Sequence, residues 1–222
     1  MEKERNKFKM FADNIANAFG NVDFVTAYPT AGAFGDVDDN SVTVELWSKD
    51  AEEMIRKEDF NKSEWSFGWN GRKGRIASFN FDITNHYFER LTEGNIKSFN
   101  WAEFVQKVSS KINKVCSFRE FSRKLINTFR GARFVTAYPV NGRYAEDGLP
   151  ERVRFEVWNS DAESTLNCRL FSTYDGWAFS QGRITSFDLT SSPDGTGRNP
   201  DFFSEFGNNL SEVDWSEAVI AV

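Results

Sequence analysis

Two carboxylates recur in phase along this chain: Glu45 in Val42-Thr43-Val44-Glu45-Leu46-Trp47 and Glu156 in Val153-Arg154-Phe155-Glu156-Val157-Trp158. Paired acids whose surroundings push their pKa values apart can run acid–base chemistry, and a carboxylate on a solvated strand face accounts for the same pattern. The other reactive groups are sparse. The single histidine, His86, stands before a short helix-like stretch, with Pro200 at or near its counterpart, and reads as a surface or capping residue. Ser-His-Asp chemistry would hang on that histidine, with no G-x-S-x-G elbow to present a nucleophile. Cys116 lies among bases that would lower a thiol pKa, but it has the same lone histidine to work with. Two Cys and one His at no ligand spacing do not make a zinc site.

The loop Asp36-Val37-Asp38-Asp39-Asn40 fails the EF-hand pattern, with Ser41 where the turn glycine belongs and Trp47 at the bidentate position. Asp194-Gly195-Thr196-Gly197 lacks a P-loop lysine. No cofactor and no metal is expected, and the sequence points away from an enzyme. Acidic residues in the variable loops are the remaining route to one.

The elements that position these residues come in duplicate. Phe24-Val25-Thr26-Ala27-Tyr28-Pro29 returns unchanged as Phe134-Val135-Thr136-Ala137-Tyr138-Pro139. Phe8, Phe11, Ile15 and Phe19 mark one helical face, and Phe118, Phe121, Leu125 and Phe129 repeat it 110 residues later. The hexapeptide predicts a strand ending at its proline. It is apolar on both faces, so it is expected to be central or covered. A divergent loop follows (30–40; 140–152), and then a cleanly alternating strand. The next two strands are expected as a hairpin: Trp65-Ser66-Phe67 then Arg75 to Phe81, and Trp177-Ala178-Phe179 then Arg183 to Leu189. That register implies four extra residues in the first turn, around Asn70-Gly71-Arg72-Lys73-Gly74. Matching Trp69 to Trp177 avoids the gap but loses the W-x-F agreement, and the first is preferred because hairpin loops absorb insertions more readily than strands do. Arg75 and Arg183, each after a glycine, read as partners of an acid near the strand end. Short helical segments (86–91; 201–206) precede a final helix at Asn100-Trp101 and Asp214-Trp215, each with an Asx cap and a Glu three residues on.

The expected fold class is therefore α+β. It consists of two tandem homologous modules, 1–115 and 116–222, each a four-stranded antiparallel sheet with helices packed on one face in the order α-β-β-β-β-α-α. Intramolecular packing of the modules about a pseudo-twofold axis follows from duplication as an expectation.

The chain has 222 residues, 33 acids against 27 bases, and a net charge of −6, which disfavours a protein that simply coats nucleic acid. No apolar run reaches the roughly 20 residues of a membrane span, the N-terminus lacks a signal-peptide pattern, and no cysteine pair is kept by the repeat. A cytoplasmic protein with reduced thiols is expected. Bases concentrate in a helical connector, 107–133, where Lys107, Lys111, Lys114, Arg119, Arg123 and Lys124 are candidate nucleic-acid contacts.

With helices on one face only, Glu45, Trp47, Glu156 and Trp158 would stand on an open sheet face as partner-binding residues. Asp36, Asp38, Asp39, Glu146 and Asp147 are further candidates in the divergent loops. The function expected is non-catalytic protein–protein binding. One form of it is an inhibitor in the manner of phage or mobile-element anti-defence proteins that mimic DNA. Nucleic-acid binding through the basic connector and an enzyme using the acidic loops are the alternatives. Trp65, Phe67 and Trp69 beside Arg72, Lys73 and Arg75 add an aromatic–basic pattern of the kind that stacks on single strands.

Overall fold

The computed structural model describes residues 2–31, 37–63, 66–82, 102, 104–108, 117–143, 152–168, 170–172, 175–190 and 210–221. The fold is α+β, with antiparallel sheet as its main element and a few helices. The chain divides into two compact units, Met1–Ile112 and Asn113–Val222.

In the first unit, α1 (Glu2–Phe19) buries Phe8, Phe11 and Ile15 and leaves Lys9, Asp13 and Asn17 in solvent, the one-sided pattern its spacing predicts. It stops at Gly20, whose φ of 67° suits a residue without Cβ. The strands β1 (Phe24–Ala31) and β2 (Val37–Trp47) form a long antiparallel hairpin, and β5 (Arg75–Asp82) pairs with the far side of β2. The fourth strand is β6 (Val105–Lys107), on the outer edge of β1. The hexapeptide strand is thus flanked on both sides, as its apolar faces require. Val25, Ala27, Val42, Val44, Leu46, Ala77 and Phe79 form the face under α1, where Phe19 meets Phe79 edge-on at 5.6 Å.

The second unit repeats this order. Helix α3 (Phe118–Thr128) is capped by the Ser117 hydroxyl, which accepts from the Glu120 amide, and its Phe118 and Phe121 pack on Phe155. The strands β7 (Phe134–Pro139), β8 (Arg152–Trp158) and β11 (Arg183–Thr190) follow, with β12 (Val219–Ala221) on the outer edge of β7.

Several expectations are corrected. The third strand does not join this sheet. In the first unit β3 (Phe60–Ser63) and β4 (Ser66–Trp69) form a separate two-stranded ribbon, and in the second β9 (Phe171–Ser172) and β10 (Gly176–Trp177) do the same. Between strand and ribbon lies a 3-10 turn running into a short helix, α2 (Glu52–Arg56) or α4 (Glu163–Asn167). The ribbon folds back over the other face of the sheet. Tyr28 meets Phe60 and Phe60 meets Trp69, just as Tyr138 meets Phe171 and Phe171 meets Trp177. Trp69 is therefore the counterpart of Trp177, so no residues are inserted after it, and the length difference lies within the ribbon, between Phe60 and Trp69. The sheet has covers on both faces, because rings such as Tyr28 and Trp47 on the second face also need burial.

The final helix is also overturned. Asp214 does cap, accepting from the Ser216 amide, but it caps only the short 3-10 turn Trp215–Glu217, after which β-branched Val219 and Ile220 enter the sheet. Residues 105–107 do likewise as β6, so the basic stretch is not one helical connector: Lys107 ends a strand of the first unit and α3 belongs to the second. The segments at 86–91 and 201–206 lie outside the described residues.

Glycine fixes each ribbon. A Cβ on Gly176 (φ 75°) would stand 2.3 Å from the Tyr138 hydroxyl oxygen, whereas one on Gly131 (φ 79°) would meet nothing within 4 Å. Gly131→Ala is expected to cost about 1 kcal/mol from the left-handed backbone alone. Gly176→Ala adds a ring displacement, for roughly 2–4 kcal/mol in all. Urea unfolding of both variants checks this, and equal costs would show that the tyrosine contact does not hold the ribbon.

Candidate functional site

Each unit gathers its repeated polar residues on the sheet face beneath the ribbon. In the first, β1 contributes Thr26 and Tyr28, β2 contributes Glu45 and Trp47, and β5 contributes Arg75. Arg75 Nη1 donates to Glu45 Oε1 at 2.7 Å, and Trp47 Nε1 donates to Thr26 Oγ1 at 2.9 Å. The second unit makes the same bonds: Arg183 to Glu156 at 2.8 Å and Trp158 to Thr136 at 3.0 Å. Arg183 also lies over the Trp158 ring, 5.9 Å from its centroid.

A single extra residue brings the arginine to the acid. Trp47 pairs with Arg75 but Leu46 pairs with Ala77, so Ile76 is a bulge, and Ile184 is the matching bulge between Arg183 and Thr185. By strict alternation Arg75 would share a face with Ala77, under α1. The bulge turns it over, onto the face of Glu45.

The open-face expectation is corrected by burial. Glu45 and Glu156 are 1% exposed and Trp47 and Trp158 0% exposed, and the Trp158 ring lies 5.1 Å from that of Phe179, just after the ribbon. These four side chains offer no surface to a partner. Among the other candidates, Asp38 and Asp39 lie in β2 and not in a loop, while Asp36, Glu146, Asp147, Lys111 and Lys114 fall outside the described residues, as do His86, Cys116 and Trp65. Lys107 is exposed on β6, 3.9 Å from Glu52 Oε1 and 5.7 Å from the Phe24 ring centroid. Arg119 and Arg123 are exposed on α3, and Lys124 pairs with Glu120 at 3.2 Å. Cys168 is a free, exposed thiol.

Sequence reasoning identified Arg75 and Arg183 as partners of an acid but not which acid, since the bulge breaks the two-residue period that assigns faces. It missed the tyrosines. Tyr28 and Tyr138 couple to Glu45 and Glu156, and burial first and the neighbouring carboxylate second push both phenols far above their ordinary range. Trp69 and Trp177 were seen only as ring positions. Their indole N–H groups, like Oε2 of Glu45 and of Glu156, are buried without a hydrogen-bond partner among the described residues. Tyr28 thus perturbs Glu45, yet no phenol hydrogen bond reaches Oε2 within bonding geometry.

The two units part company one step along the strands. Thr43 donates to Asn80 Oδ1 at 2.7 Å in the first, where Arg154 and Asp188 form a two-bonded pair at 2.7 and 3.1 Å in the second. The hydrogen bond from Arg154 to Asp188 holds the guanidinium well above its usual pKa.

Chemically, the site is a carboxylate held against a guanidinium under an aromatic lid. Among the described residues, no group of three His, Cys, Asp or Glu is placed to hold a metal ion, and no helix is long and apolar enough to cross a membrane. No protein family, curated protein or solved structure matches the chain.

Burial raises the Glu45 and Glu156 carboxyls above their ordinary value of 4.5, and the arginines only partly oppose it. The folded state therefore keeps protons that the unfolded chain releases, so the contribution of these groups to stability falls as pH rises from about 4.5 through their folded pKa values. Glu45→Gln/Glu156→Gln removes that slope. Wild-type stability relative to this variant should decline with rising pH in urea titrations, and a flat or rising difference would refute the assignment. Arg183→Met leaves a buried acid without its cation and should cost about 3 kcal/mol. Adding Glu156→Gln to Arg183→Met should recover part of that loss, which a double-mutant cycle on unfolding free energies reads directly.

Proposed function

We propose that this chain is a non-catalytic binding protein, two tandem copies of one module, acting through contacts with a protein partner. The observation that carries the reading is the fate of the repeated polar residues. Glu45, Arg75, Trp47 and Thr26, with their counterparts Glu156, Arg183, Trp158 and Thr136, bond to one another inside each unit. What duplication kept is thereby spent on the scaffold. What it let diverge is the segment after the hexapeptide, acidic in both copies at Asp36, Asp38, Asp39 and at Glu146, Asp147. Acidic segments suit a partner with a basic surface, and an inhibitor that occupies the anion-binding groove of such a partner is one form of this function.

The test is quantitative affinity isolation with wild type, with Asp36→Asn/Asp38→Asn/Asp39→Asn/Glu146→Gln/Asp147→Asn, and with Glu45→Gln/Glu156→Gln. A stoichiometric protein partner is expected with wild type, and titration calorimetry on that partner should show at least about a tenfold loss in the loop variant, the scale of one or two lost charge pairs. The buried-site variant should bind as wild type does. Loss of binding in the buried-site variant alone, or undiminished binding by the loop variant, would overturn the reading.

A further inference from the structure

The two units bury the same face of their first helix and differ on the other. Phe8, Phe11 and Ile15 of α1 correspond to Phe118, Phe121 and Leu125 of α3, all buried. Away from that face, on the helix and in the turn after it, the equivalences run Asp13 to Arg123, Asn14 to Lys124, Gly20 to Arg130 and Asp23 to Arg133, with Lys9 matched by Arg119. Four positions that are acidic or neutral in the first unit are therefore basic in the second. The first unit makes the same helix–sheet packing without those charges, so the fold does not require them.

Three of these bases, Arg119, Arg123 and Arg133, are not used internally either. Arg119, Arg123, Arg130 and Arg133 are all exposed. Among the described residues the guanidinium groups of Arg119, Arg123 and Arg133 have no ion pair or hydrogen bond, although the chain has 33 acids to offer against 27 bases. Only Lys124 is tied to a neighbouring acid on this helix, Glu120. Arg119 and Arg123 are one helical turn apart, about 5–6 Å between Cβ atoms, and so form a row on one face.

The surface also lacks what a protein interface needs at its centre. Among the described residues the large apolar side chains left exposed are Met10 and Leu170, and neither is on α3. Protein interfaces are anchored by buried aromatic or aliphatic groups and are depleted of charge at the core. A row of unpaired guanidinium groups with no apolar anchor fits a phosphate backbone, to which arginine donates in a bidentate fork.

We propose that the solvent face of α3 and the turn after it bind the phosphate backbone of nucleic acid without reading its sequence. This surface shares no residue with the acidic segments of the proposed protein contact, so either reading can fail alone.

The experiment measures fluorescence anisotropy of a short labelled single strand and of the matching duplex, with the full chain, over a series of salt concentrations. Binding is expected at low salt, weakening as salt rises by roughly 0.7–0.9 in log–log slope for each phosphate contact. Arg119→Gln/Arg123→Gln/Arg133→Gln should weaken binding on the order of tenfold and flatten the slope by roughly two to three. A control with the same charge loss elsewhere, Lys9→Gln/Lys57→Gln/Lys73→Gln, should keep the wild-type slope, and thermal melting should show both triple variants folded. Three results would overturn the proposal: no binding of either oligonucleotide at low salt, equal loss in the two triple variants, or equally strong competition by poly-L-glutamate at matched charge. The last would assign the face to an acidic protein instead.

Discussion

A carboxylate sealed inside an apolar environment costs several kcal/mol unless a cation and hydrogen bonds come with it. Glu45 and Glu156 impose that requirement on each unit. The arginine that meets it must come from the neighbouring strand, on the correct face and at the right height, and the bulges at Ile76 and Ile184 deliver it. The carboxylate is buried while the arginine still reaches solvent, and the glycine beneath each tyrosine lets the ribbon sit close over that face. Bulge, tyrosine and glycine are thus solutions to one electrostatic problem, met twice in the same way.

The duplicated chain contains its own control. Positions where both units agree are those with a partner inside: the Trp–Thr bond, the Glu–Arg pair, the helix face of phenylalanines. Where they disagree, two chemistries do one job. The neutral Thr43–Asn80 contact and the charged Arg154–Asp188 pair occupy matching rungs of the sheet. That interchange shows the rung tolerates either solution, while the neighbouring rung, with its buried carboxylate, has kept one.

The parts of the fold legible in the sequence were those governed by short-range periodicity. The apolar spacing of α1 and α3, the alternation in β2 and β8, and the repeated hexapeptide each follow from a local rule, and the structure has those elements. Face assignment failed where a one-residue bulge interrupts alternation, since no residue type at Ile76 or Ile184 announces it. The ribbon was misread because Trp69 and Trp177 satisfy a ring pattern that strands of a sheet and strands of a lid share; only the contact with Tyr28 or Tyr138 separates them. The final strands were missed because an Asx cap followed by Glu starts a 3-10 turn as readily as a helix, and the three residues after it are too few to show a period. The sequence placed Glu45 and Trp47 on one face correctly and left open what covers that face, on which their accessibility turned.

The tyrosine that couples to each buried acid also lies against the ribbon glycine, so the lid and the carboxylate share a structural element. Raising the ribbon would hydrate the acid, and hydration favours its charged form. Fluctuations of the β3–β4 and β9–β10 hairpins and the charge state of the acids beneath them are therefore linked as one equilibrium, in which rising pH loosens the cover.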